Sequence, residues 1–128
     1  MKIVDANIIL RYLLADIPEP FIRSKEILEG ETVHLPFEVL AEIVYVLEKV
    51  YSAPRKEISN SITTLLKYPN ISTHDRDVGE QALKTYADSN LDFIDALLYA
   101  YHKSRGNEIV TFDSQLRADA KINSHSLG

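Results

Sequence analysis

Short apolar runs alternate along this chain with longer amphipathic stretches, and no tight turn joins one short run to the next. Strands that cannot close into hairpins must be linked by crossovers, which places them side by side in parallel. The runs read as strands fall at 2–6, 32–35, 70–73 and 108–111, with a last edge strand at 122–126. A parallel sheet needs cover on both faces. The pattern therefore predicts an α/β fold of three layers, α/β/α, with a short-stranded central parallel sheet flanked by helices. No linker, repeat or low-complexity tract interrupts it, so residues 1–128 are expected to form a single domain.

The helices between the strands carry their own punctuation. One is expected over 7–15. Pro18 can open a second, with Phe21, Ile22, Ile27 and Leu28 as its apolar face and Gly30 at its end. Pro36 precedes a third, on which Val39, Leu40, Ile43, Val44, Leu47 and Val50 recur at helical spacing. Pro54 opens a fourth, with Ile58, Ile62, Leu65 and Leu66 inward, and Pro69 stops it. Further helices are expected over 74–88, 92–104 and 114–120, the first of these with Val78, Ala82, Leu83 and Tyr86 inward.

Composition narrows the setting. The absence of cysteine excludes disulfides, thiolate zinc sites and a cysteine nucleophile. Asp5, Asn7 and Arg11 break up the apolar opening, which reads as folded structure and not as a signal peptide, and no stretch approaches a membrane span. A cytoplasmic protein is expected. Fourteen Lys and Arg against nineteen Asp and Glu give a formal charge of −5, which on its face disfavours nucleic acid.

Where the carboxylates fall changes that reading. Ligands of open α/β sheets bind beyond the carboxyl ends of the strands. Asp5 ends the first strand and Asp113 follows the run at 108–111. Glu42 and Asp95 interrupt strongly apolar helical segments, where burial is expected, and Asp92 lies one turn before Asp95. Taken singly, each has an ordinary role: Asp5, Asp92 and Asp113 can cap helices, and Glu42 can sit on an exposed helix edge. Together they form an acidic set with no Lys or Arg adjacent in sequence to Asp5, Glu42, Asp95 or Asp113. Crowded carboxylates repel, and a divalent cation relieves them. An all-oxygen donor set suits Mg²⁺ or Mn²⁺, one ion or two, and points to metal-assisted attack of water on a phosphodiester. Bound metal would reverse the local sign of charge. Arg11, Lys49, Arg55, Lys56, Lys103 and Arg105 are candidate phosphate contacts. His34, His74, His102 and His125 are placed by no motif and read as surface or helix-end residues.

Four segments in order, IVDANIILRYLL, LAEIVYVLEK, LDFIDALLYAYHK and IVTFDSQL, span nearly the whole chain. In them the chain resembles the PIN-domain ribonucleases, and among these the VapC-like toxins of prokaryotic toxin–antitoxin pairs. The resemblance carries the family's acidic positions onto Asp5, Glu42, Asp95 and Asp113, with Asp92 as an additional acidic residue. Asn7 fits the D-x-N opening and Thr111 the T-x-D ending as supporting polar groups. Ala6 stands where Ser or Thr is common, which removes no ligand.

The resemblance implies an endoribonuclease using Mg²⁺ or Mn²⁺, acting on RNA, usually a homodimer, and inhibited by a small antitoxin protein. Tyr45, Tyr51 and Tyr99 suit an interface or a roof over the core. Two rivals remain. A phosphate-accepting receiver would want an acidic pair near Asp5 and a Lys after a late strand, where Asn7 and Thr111 stand instead, and an Asp-nucleophile phosphatase would want a second Asp at residue 7, which is Asn. A catalytically inactive PIN-like RNA- or protein-binding module would have lost acidic ligands, whereas all four positions here are filled.

Overall fold

Proline sets the helix boundaries. In a computed structural model of the chain, which describes residues 1–114 and 116, Pro18 is the first residue of a helix, and Pro36 and Pro54 sit at the N-caps of two more. Proline suits these places because its fixed φ matches the first turn and its missing N–H has no intrahelical acceptor to lose there. The elements run β1 (Lys2–Ile3), α1 (Ala6–Leu14), α2 (Pro18–Gly30), β2 (Val33–His34), α3 (Phe37–Lys49), α4 (Arg55–Leu66), β3 (Ile71–Ser72), α5 (Arg76–Asp88) and α6 (Phe93–Arg105). They divide into two compact units, Met1–Arg76 and a second beginning at Asp77.

The first unit holds a parallel sheet in the order β1-β2-β3. Lys2 pairs with Val33 and Ile3 with His34; Val33 pairs in turn with Ile71 and His34 with Ser72. The strands are short, and flanking backbone extends the ladder: Lys2 N–H donates to Thr32 O at 3.0 Å and Leu35 N–H to Ser72 O at 2.7 Å. The Asn70 side-chain amide donates to the carbonyls of Leu28 and Glu31, both at 2.7 Å, tying the end of α2 to the start of β3. Ile9, Leu28, Val33, Leu35, Leu40, Ile43 and Ile62 have no accessible surface. The expected inward stripe of α4, Ile58, Ile62, Leu65 and Leu66, is buried throughout. Helix α1 packs against both α2 and α3.

In the second unit α5 buries Val78, Ala82, Leu83 and Tyr86, as its periodicity requires. Tyr86 meets Phe93 edge to face, ring centroids 6.2 Å apart. A small cluster of Leu91, Ile109 and Leu116 packs with Tyr99. Helix α6 ends at Gly106, whose φ of +74° is the left-handed conformation that lets its N–H turn back to His102 O.

Some expectations are corrected. The run at 2–6 is not a buried strand along its length: Lys2 and Ile3 are exposed, Ile3 by 70%, and burial begins at Val4. Among the described residues β1 has one partner, β2, and lies at the sheet's edge. Residues 108–111 form no strand. Ile109 is buried and Val110 exposed, the alternation of an extended segment, but no ladder of hydrogen bonds pairs it among the described residues. On α2, Ile22 points to solvent because it lies two residues from Ser24, which takes the buried position with Leu28. Val50, past the end of α3, is also exposed. The helix expected over 114–120 lies outside the described residues apart from Ser114 and Leu116, which are helical; the strand expected over 122–126 and His125 lie outside them altogether.

Candidate active site

Asp5 is the N-cap of α1. The chain leaves β1 extended, with Asp5 at φ −84° and ψ 174°, and its Oδ1 accepts the Ile8 N–H at 3.2 Å. That bond satisfies one of the orphan donors of the helix start and fixes the carboxylate there. The side chain is exposed, and so is Asn7 in the first turn of α1.

Glu42, also in the first unit, is exposed and not buried as its apolar neighbours suggested. The buried face of α3 is Phe37, Leu40, Ile43, Val44 and Leu47, whereas Glu42 is four residues from Glu38 and three from Tyr45 on the solvent side.

The second unit gathers three acidic residues. Asp92 caps α6, its Oδ1 accepting the Asp95 N–H at 2.9 Å. Asp113 Oδ1 accepts the Leu116 N–H at 3.1 Å, and its own N–H donates to Thr111 Oγ1 at 2.9 Å. Thr111 thus holds the backbone that presents Asp113. Asp95 is half-buried, and its carboxyl is pushed above the ordinary carboxylate range, first by desolvation and then by the charges of Asp92 and Asp113. The second unit therefore brings Asp92, Asp95 and Asp113 into electrostatic contact, and the ordinary role weighed for Asp5, Asp92 and Asp113 is real: all three cap helices. Capping commits one oxygen of Asp5 and one of Asp92, and a carboxylate has a second oxygen that can accept from another partner.

Within either unit, among the described residues, no three Asp, Glu or His side chains converge closely enough to hold one ion as they stand. The donor chemistry nonetheless fits a hard cation: oxygen only, with ionisation at Asp95 disfavoured by desolvation and then by two neighbouring carboxylates.

The three described histidines serve the scaffold. His34 Nδ1 bonds Ser72 Oγ at 3.0 Å, His102 Nδ1 bonds Asn107 O at 2.8 Å, and His74 lies edge-on to Phe37. Most of the expected phosphate-contacting cations are engaged elsewhere. Arg11 pairs with Asp16, Lys49 and Arg55 with Glu48, and Arg105 with Asp77, while Lys103 lies 6.0 Å over the Tyr99 ring. Tyr45 and Tyr51 are exposed and Tyr99 is half-buried. Arg23, which no motif singled out, is an exposed cation beside a cavity between α1 and α2. Its signal was weak, because a cavity between two helices leaves no local pattern in either.

Comparison with known proteins adds two findings. The PIN domain family model matches residues 2–121. The chain is also similar to a VapC ribonuclease of Aquifex aeolicus (strain VF5), 27% identical over 123 residues, which cover 91% of this chain and 90% of that protein. No solved structure matches it.

Proposed function

Because the chain belongs to the PIN domain family, we propose that it is a metal-dependent endoribonuclease and the toxin of a toxin–antitoxin pair. The observation that carries this reading is the gathering of Asp92, Asp95 and Asp113 in the second unit, where the Asp95 carboxyl is pushed up first by desolvation and then by its two acidic neighbours. The likeness to a protein named as a VapC ribonuclease supports the choice of RNA.

In this reading Asp5, Glu42, Asp95 and Asp113 would hold the ions, with the charge of Asp92 beside Asp95. The chemistry supplied by bound Mg²⁺ or Mn²⁺ would be that of a Lewis acid, acidifying water and stabilising charge on the displaced oxygen. The chain's own residues position. The caps on Ile8, Asp95 and Leu116 lock the carboxylates of Asp5, Asp92 and Asp113 before substrate arrives. Thr111 fixes the turn that carries Asp113, and Asn7 offers a polar side chain two residues after the Asp5 cap. Hydrolysis joins water oxygen to phosphorus in line and breaks the bond to the 3′ oxygen, which leaves with the proton. No side chain serves as nucleophile. The proposal also includes a small antitoxin that covers the acidic residues, a homodimer, one domain built from both units, and a cytoplasmic setting. No helix of the described residues is long and apolar enough to cross a membrane.

The test is cleavage of single-stranded RNA by the purified chain in Mn²⁺, with and without chelator, beside Asp5→Asn. Cleavage that needs the ion and Asp5 is expected. Equal cleavage by the variant removes the catalytic assignment, and a chain that neither cleaves nor binds Mn²⁺ is a binding module.

A further inference from the structure

We infer that the cavity between α1 and α2 is a subsite for one unpaired nucleotide of the RNA flanking the cleaved bond, an inference that rests on the nuclease reading and adds a specificity determinant to it. The cavity measures about 320 Å³, at the small end of the roughly 300–1,000 Å³ typical of small-ligand sites. Ile8, Pro20 and Ile27 give it apolar wall, the kind of surface a base can lie against. Asn7, Arg11, Glu19 and Arg23 supply its polar groups.

Three observations favour a nucleotide. First, the cavity neighbours Asp5 through one shared residue. Ile8 lines it, and the Ile8 N–H is the donor that Asp5 Oδ1 accepts. Second, two guanidiniums border it although the chain carries a net charge of −5. Arg11 is held by Asp16 at 3.0 Å and by the Tyr51 hydroxyl at 3.2 Å, while its Nε is buried with no hydrogen-bond partner, a donor left without an acceptor. Arg23 makes no hydrogen bond or ion pair among the described residues, so its charge is uncommitted. Third, Glu19 lies one turn before Arg23 on α2. A carboxylate repels phosphate but accepts from the exocyclic amine of a base. Arg23 takes the phosphate oxygen, and Glu19 favours a base that carries an amine over uracil.

The experiment uses the full chain and a 5′-fluorescein single-stranded octaribonucleotide, with anisotropy read in EDTA so that binding is measured apart from cleavage. Arg23→Gln is expected to weaken binding roughly three- to tenfold and to flatten the dependence of log affinity on log salt by about 0.7. Arg23→Lys restores the slope. Glu19→Gln removes the preference for cytosine- or adenine-containing octamers over oligouridine. Unchanged affinity and slope in Arg23→Gln, or no binding by the wild type, overturns the subsite. So does an acidic peptide that depends on Arg23 where RNA does not, since the cavity then belongs to a protein partner. A wild type that fails to cleave in Mn²⁺ but binds RNA through Arg23 refutes the nuclease and leaves the subsite. A wild type that cleaves while Arg23→Gln binds normally does the reverse.

Discussion

Asp92 and Asp95 are joined by a hydrogen bond of 2.9 Å, from the backbone N–H of Asp95 to Oδ1 of Asp92, so the residue that starts α6 also fixes the backbone of the next acidic residue. Capping and charge are separable here. Asp92→Asn keeps an acceptor at the cap and removes the charge, whereas Asp92→Ala removes both. Asp92→Ala should cost about 1 kcal/mol of stability in urea unfolding, and Asp92→Asn much less. If Asp92 serves the ions, both variants lose Mn²⁺ affinity; if it only caps, Asp92→Asn binds as the wild type does.

Asp95→Asn should raise stability while abolishing cleavage. Two effects oppose each other at this residue. The first turn of α6 favours a negative charge, and burial with Asp92 and Asp113 disfavours it. The upward direction of its pKa shows that the second wins. The metal-free variant should melt about 1–2 °C higher, a small gain because solvent screens a half-exposed group. A lower melting temperature would show that the charge is stabilising.

Glu42→Gln is the cleanest test of a site residue. Glu42 is exposed on the solvent face of α3, so its loss should change stability by less than about 0.5 kcal/mol. Cleavage should nevertheless fall by orders of magnitude. Retained cleavage would return Glu42 to the ordinary helix edge.

Tyr12 ties α1 to α2 and to the turn after α4, and makes stability depend on alkaline pH. Its hydroxyl bonds Glu29 Oε2 at 2.6 Å and the Tyr68 hydroxyl at 2.7 Å. Desolvation, then the bond to Glu29, push its ionisation far above the ordinary phenol range. The folded state therefore holds the proton more tightly than the unfolded state. The contribution is complete below about pH 10 and is lost as pH rises above it, because the unfolded chain ionises first. Between pH 9 and 11 the urea midpoint of the wild type should fall more steeply than that of Tyr12→Phe. Parallel slopes would contradict this.

Local signals made most helices legible. Proline at 18, 36 and 54, aspartate at 5 and 92, and glycine at 106 each act within a turn of where they stand, and the helix ends follow them closely. Pairing was less legible. Whether 108–111 joins a sheet depends on a partner distant in sequence, and its β-like composition could not supply one. Glu42 carries two opposed signals: its apolar sequence neighbours suggest burial, whereas helical phase with Glu38 and Tyr45 puts it on the exposed face it occupies. The capping roles of Asp5, Asp92 and Asp113 were readable, as was their acidity. The metal-binding role proposed for Asp5 and Asp113 rests on charge that capping does not require, and on family resemblance. Arg23 was invisible because its cavity exists only where α1 and α2 pack together.

On the proposed function, Asp5 and Asp113 serve the same ions. Calorimetric titration of Mn²⁺ into the wild type, Asp5→Asn, Asp113→Asn and the double variant tests it. Each single substitution should weaken binding at least about tenfold, and the double variant should lose less than the two losses combined, as residues sharing a partner do. Mn²⁺ binding that survives Asp5→Asn intact while Asp113→Asn abolishes it would contradict the account.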